Sequence, residues 1–183
     1  MNNILDIVND NDEIIGQETR EKIHLAGLCH REIHVYFITP RWEVIFQHRA
    51  KDKEYCPDLL SATVGGHVEI GDDYNQTAIK ETEEETGVKI QVNDLIPVGK
   101  IKRHFTDKIT DKINYSFSTE FAYIYKENSE DLKIESGKAI GFEVWPLERL
   151  LSLTDSEKEK FIPQQLEFVI NELADFMNNF IIK

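Results

Sequence analysis

Seven acidic residues, Glu69, Asp72, Asp73, Glu81, Glu83, Glu84 and Glu85, crowd into one short stretch with only Lys80 among them as a base. Like charges packed this closely destabilise a fold unless water or a cation neutralises them. The same stretch has strong helix punctuation. Asp73 can cap a helix with Gln76 three residues on, and Gly87 can close it in the left-handed conformation. On a helix over Asp73–Thr86, Glu81, Glu84 and Glu85 fall at i, i+3 and i+4 and share one face, whereas Glu83 points the opposite way. Ala78, Ile79 and Thr82 lie on a flank that can pack on a sheet. Three convergent carboxylates without a base form a hard oxygen site of the kind that suits Mg2+ or Mn2+. A bare E-x-x-E-E can equally be a solvated acidic face.

The remainder of the 183-residue chain is read as one α+β domain, residues 1–183, with an α/β/α arrangement in which helices flank a mixed sheet. Forty per cent of its residues are apolar, enough for a core of that size. No apolar run reaches the roughly 20 residues of a membrane span, and Met1–Asp6 lacks the features of a secretory signal. Cys29 and Cys56 form neither a metal-type pair nor a disulfide framework, so a cytoplasmic protein is expected, with no membrane partner. A net charge of −13 repels a phosphate backbone and argues against duplex nucleic acid as a partner. A homodimer is left open.

Along the chain, Asp6–Gly16 reads as strand, Asn-Asp turn and strand. His34–Thr39 and Glu43–His48 are β-rich runs around a turn at Pro40, and Leu60–Val64 is expected to end in a loop at Gly65-Gly66. Ile96–Arg103, Tyr115–Tyr125 and Gly141–Trp145 follow as strands, and Leu147–Leu153 as a helix. A last amphipathic helix, about 163–181, starts at Pro163 and presents Leu166, Val169, Ile170, Leu173, Phe176 and Phe180 as a core-facing stripe.

From Gly66 to Val88 the chain runs GHVEIGDDYNQTAIKETEEETGV, which resembles the Nudix box, G-x5-E-x7-R-E-U-x-E-E-x-G-U, where U is bulky and apolar. Gly66, Glu81, Glu84, Glu85, Gly87 and Val88 match. Asp72 stands for Glu, Lys80 for Arg and Thr82 for an apolar residue; none of these removes a metal-binding oxygen. Lys80 would orient a carboxylate with fewer hydrogen bonds than a guanidinium. The resemblance implies that Glu81, Glu85, Glu84 and the Gly66 carbonyl hold a divalent cation against a diphosphate. Glu81 and Glu84 are then the catalytic carboxylates, with Glu81 helping to activate water. Glu69 and Asp72 would bind water further out, and Glu135 is a lesser candidate for a base.

Flanking stretches, NDEIIG at Asn11–Gly16, IHLAGLCHREIHVYFI at Ile23–Ile38 and the segment Val44–His67, resemble the branch of this family that includes isopentenyl-diphosphate isomerases. In that branch the counterparts of Arg49 and Lys53 contact the diphosphate, and histidines similar to His24, His30 and His67 hold a metal. Here the spacing of His24 and His30 is one residue shorter, and the three are read as ordinary hydrogen-bonding groups. The isomerase chemistry needs a thiol where this chain has Gly65, and acids where it has Asn114 and Ser116. The expected activity is therefore metal-dependent hydrolysis of a nucleoside diphosphate derivative or a similar small diphosphate. An isopentenyl-diphosphate isomerase and a non-catalytic nucleotide or metabolite sensor are the alternatives. Phe105, Tyr115, Phe142 and Trp145 fit base recognition and core packing equally.

Overall fold

A computed structural model describes residues 4–53 and 55–181. Seven strands assemble around β3 (His30–Ile38), whose alternating side chains feed two separate cores. Ile33, Val35 and Phe37 face one way, toward Ala78 of the helix α2 (Tyr74–Thr86). Tyr36 and Ile38 face the other way, toward the C-terminal helices. This period of two, with both faces covered, gives the mixed sheet between helices expected from the sequence.

Ahead of this sheet, β1 (Ile4–Val8) and β2 (Ile14–Thr19) form a separate hairpin. A helix not anticipated from the sequence follows, α1 (Arg20–Ala26), capped by the Thr19 hydroxyl and closed by Gly27 at φ 63°. The β3 strand pairs with three partners. Along one edge it runs parallel to β8 (Ile113–Ile124), which in turn pairs antiparallel with β7 (Ile96–Thr106). Its other edge is shared. Glu32 to Val35 pair with β6 (Val64–His67), whereas Phe37 and Ile38 pair with β4 (Glu43–Arg49). At this fork Thr63 accepts from the Phe37 amide at 2.8 Å and donates to the Ile45 carbonyl, so no backbone group is stranded. Opposite β3, β4 pairs with β9 (Ala139–Pro146), and the short β5 (Leu60–Ser61) joins its end.

Gly65 and Gly66 thus lie within a paired strand, where the sequence pointed to a loop. Two short helices, α3 (Leu147–Leu150) and α4 (Asp155–Lys158), replace the expected Leu147–Leu153 helix, because Thr154 and Glu157 form a new capping box. The C-terminal helix runs as α5 (Pro163–Phe168), a π-helical segment Val169–Leu173, and α6 (Ala174–Ile181). Leu166, Val169, Leu173 and Met177 are buried in the core, whereas Phe180 is 45% exposed and rests near Trp42. Among the described residues no helix is long and apolar enough to cross a membrane.

Candidate active site

Helix α2 starts and stops where the sequence places it: Asp73 and Gln76 make the reciprocal capping box, and Gly87 takes φ 73° at the C-terminus. Thr77, Ala78 and Thr82 bury one flank against the sheet. That orientation carries Glu81 and Glu85 into a cavity of about 310 Å³, with Glu84 exposed at its rim. Glu83 projects away from it and pairs with Lys89 at 3.1 Å.

Glu85 is 2% exposed and tightly held. Gln47 Nε2 donates to its Oε2 at 2.9 Å, and the Gly65 amide does so at 3.3 Å. Burial raises its pKa to about 7, a shift that the neighbouring Lys138 ammonium opposes and the Glu81 charge reinforces. Burial also raises the pKa of Glu81, again against the pull of Lys138. Glu81 lies over Gly66, where a Cβ would stand 2.5 Å from its Cγ and Cδ. Glycine at 66 is therefore a matter of space for a carboxylate.

The neutralising charge comes from a residue the sequence reading did not single out. Lys138 Nζ sits 3.1 Å from Glu81 Oε2, 3.1 Å from Glu85 Oε1 and 3.2 Å from Glu135 Oε2. It lies on the bend before β9, more than fifty residues past the helix, and no local pattern connects the two. An ammonium ringed by three carboxylates occupies a place where hard oxygens converge, the donor type that suits a divalent cation. The residues that would hold one are Glu81, Glu85, Glu84 and the backbone of Gly66. Lys80 pairs instead with Glu69, so here it orients none of these carboxylates.

Arg49 and Lys53 line the same cavity. Arg49 is the last residue of β4, one residue beyond the β-rich run Glu43–His48. Its Nε and Nη2 donate to the carbonyls of Cys56 and Tyr55 at 3.0 and 2.7 Å, which pins the connection from β4 to β5. Of the four aromatic candidates, Phe105 lines the cavity beside Tyr55, at 5.7 Å between ring centroids. Trp145 packs on Phe161, Phe142 packs in the α2-side core, and the Tyr115 hydroxyl donates to Asp10.

The structure also gathers His24, His30 and His67, with ligand atoms within 4.8 Å of one another. His24 Nδ1 contacts the Ile113 carbonyl at 3.0 Å and His30 Nδ1 the Leu28 carbonyl at 3.2 Å. A carbonyl only accepts, so each Nδ1 carries the proton and each Nε2 keeps its lone pair. His24 Nε2 lies 3.1 Å from His67 Nε2, and His30 Nε2 is buried without a partner. Burial, followed by the charge of His30, lowers the His24 pKa to about 4. Asn114 and Ser116 are buried beside the trio and both donate to the fully buried Glu32 on β3. An acid is thus present near the histidines, on the neighbouring strand. Deeper still, Glu120 is held by His34, Arg103 and Ser118. Burial alone would raise its pKa, but those partners bring it down to about 2.

Residues 29–165 match the model of the NUDIX domain family. An uncharacterized Nudix hydrolase of Clostridium acetobutylicum is 24% identical over 171 residues, covering 92% of this chain and 81% of that protein. The Nudix hydrolase YfcD of Escherichia coli K12, also uncharacterized, is 33% identical over 84 residues, 46% of this chain and 47% of its own length. Among solved structures, the Deinococcus radiodurans protein DR0079 superposes with a TM-score of 0.63 at 23% identity, covering 81% of this chain and 86% of that one. The NUDIX domain of Shewanella oneidensis NrtR, solved in complex with ADP ribose, superposes with a TM-score of 0.60 at 13% identity, over 87% and 99% of the two chains. With a family match spanning most of its length, the chain belongs to the Nudix family of hydrolases.

Proposed function

We propose that the protein hydrolyses a diphosphate linkage in a nucleoside diphosphate derivative, or a similar small diphosphate, with Mg2+ or Mn2+ as cofactor. The observation that carries this reading is one cavity lined by both signs of charge: Glu81, Glu84 and Glu85 from α2, together with Arg49 and Lys53. When bound, the metal would polarise the phosphoryl group and make water a better nucleophile. The chain supplies the remainder. Gln47 and the Gly65 amide fix the Glu85 carboxylate. Glu81, its pKa raised by burial, takes the proton of the attacking water at its carboxylate. Arg49 and Lys53 bind the phosphate oxygens and offset the acidic wall. Around these groups the lining is mostly polar, with Glu32, His34, Arg103, Asn114 and Gln165, which fits a hydrogen-bonding moiety better than a hydrocarbon tail.

Nucleotide sugars, dinucleotides, nucleoside triphosphates and prenyl diphosphates, each assayed with Mg2+ and with Mn2+, test the proposal. ADP ribose, the molecule bound by the NrtR domain, is the first to try. Turnover that persists in excess chelator, or none with any of these compounds, would sink it.

A second reading concerns the histidines. Three imidazole nitrogens turned to one point favour a metal there, as in the isomerases that the first half of the chain resembles. Isomerisation needs an acid at carbon, and Gly65 offers none. Isopentenyl diphosphate incubated with the protein in deuterated water should take up no deuterium at carbon; uptake would move the assignment to the isomerase branch.

A further inference from the structure

The ring of carboxylates around Lys138 has a consequence for how metal and substrate bind. We infer that Lys138 is an exchangeable counter-ion: its ammonium holds the place of the divalent cation between Glu81, Glu85 and Glu135, and passes to the substrate's diphosphate as the metal enters. This rests on the reading of α2 as the metal site.

The argument is one of charge and reach. Three carboxylates within 3.2 Å of one ammonium leave the cluster short of positive charge. A divalent ion held by Glu81 and Glu85 would compete with Nζ for the same two carboxylates, and two cations drawn that close repel strongly. Metal entry therefore expels the ammonium. The lysine backbone does not move with it. Lys138 N donates to the Glu135 carbonyl and the Lys138 carbonyl accepts from the Ala50 amide, each at 3.1 Å, while Ala139 pairs in register with Arg49. The side chain is half-buried and opens on the cavity that Arg49 and Lys53 also line. An ammonium released into that space joins two other cations, and only an anion makes three stable together. The diphosphate is that anion. Metal binding thus prepares a third phosphate contact, and phosphate binding keeps the lysine from returning to the glutamates. By linkage each ligand raises the affinity of the other.

Titrating Mn2+ alone into the metal-free protein by calorimetry tests the competition without using activity. Lys138→Met should bind Mn2+ about tenfold more tightly than wild type, because no cation has to be expelled. Lys138→Gln, which keeps a hydrogen-bond donor between the carboxylates, guards against misfolding and should shift affinity the same way. Unchanged or weaker binding in both variants overturns the inference. Glu85→Gln separates the two levels of the argument. If it abolishes the tight site while the lysine variants do nothing, only the exchange is wrong. If it binds as wild type does, the metal lies elsewhere and both readings fail. With any accepted substrate at saturating Mn2+, Lys138→Met should raise KM several-fold, and an unchanged KM overturns the transfer to phosphate.

Discussion

A Cβ on Gly66 would stand 2.5 Å from Cγ and Cδ of Glu81, so the strand glycine and the helix carboxylate occupy complementary space. The obstructing atoms belong to a flexible side chain, and Gly66 is not at positive φ, so the fold can absorb alanine. What it displaces is Glu81. Gly66→Ala should keep its melting temperature within a few degrees while kcat falls by about tenfold or more. Gly65→Ala, whose Cβ would meet the His34 ring at 3.2 Å and the Ile33 carbonyl oxygen at 3.9 Å, should be milder. Thermal melts and steady-state kinetics of the pair decide; equal activity in Gly66→Ala and wild type would remove Glu81 from the chemistry.

The faces of α2 predict a sharp contrast. Glu85→Gln should lower kcat by roughly 100-fold or more, since one buried oxygen of the proposed metal site becomes an amide. Glu83→Gln should leave kcat nearly unchanged, because Glu83 is exposed and touches only Lys89. Comparable losses in the two variants would show that the helix does not present the face described.

Glu85 also sets a pH dependence in the metal-free protein. Its pKa in the fold, about 7, lies above the ordinary 4.5, so between those values the native state holds a proton that the unfolded chain has released. The stability this contributes is fully present below pH 4.5 and is lost as pH rises through 7. In chelator, unfolding free energy of wild type relative to Glu85→Gln should fall by about 2 kcal/mol between pH 5 and 8.5. Denaturant melts across that window measure it, and parallel profiles for the two proteins would contradict the assignment.

Arg49 and Lys53 should differ in kind as well as size. Arg49→Ala removes the proposed phosphate contact and the two hydrogen bonds to Tyr55 and Cys56, so it should lose about 2 kcal/mol in kcat/KM and about 1 kcal/mol in stability. Lys53→Ala should lose about 1 kcal/mol in kcat/KM with little change in stability. Neither should weaken Mn2+ binding. Wild-type efficiency in both would leave the pair a solvated feature of the surface.

Local pattern made part of this site readable. The capping box at Asp73, the glycine stop at 87 and the i, i+3, i+4 glutamates are short-range signals, and α2 follows them residue for residue. Gly65-Gly66 misled because a glycine pair ordinarily marks a turn. Here the missing side chain makes room for Glu81 across a strand, a reason that exists only in three dimensions. Helix α1 is bounded by Thr19 and Gly27, but its seven mixed residues show no clear apolar period. Lys138 and the histidine trio were beyond local reading. The lysine meets Glu81 and Glu85 across more than fifty residues, and His67 comes beside His30 because β6 pairs with β3. Alternating polar residues Asn114, Ser116, Ser118 and Glu120 would ordinarily mark a solvent face. They are buried because Glu32, His34 and Arg103 answer them from neighbouring strands.

The parallel pairing of β3 with β8 joins residues 30–38 to residues 116–124, and Lys138 comes later still. A growing chain is released from its N-terminus, so the acidic helix is complete while the strand beside β3 and the lysine between its glutamates are still unmade. Until then those carboxylates stay in water, where repulsion among them opposes burial of the helix. Completion of the site is thus a non-local event that waits for residues 116–138.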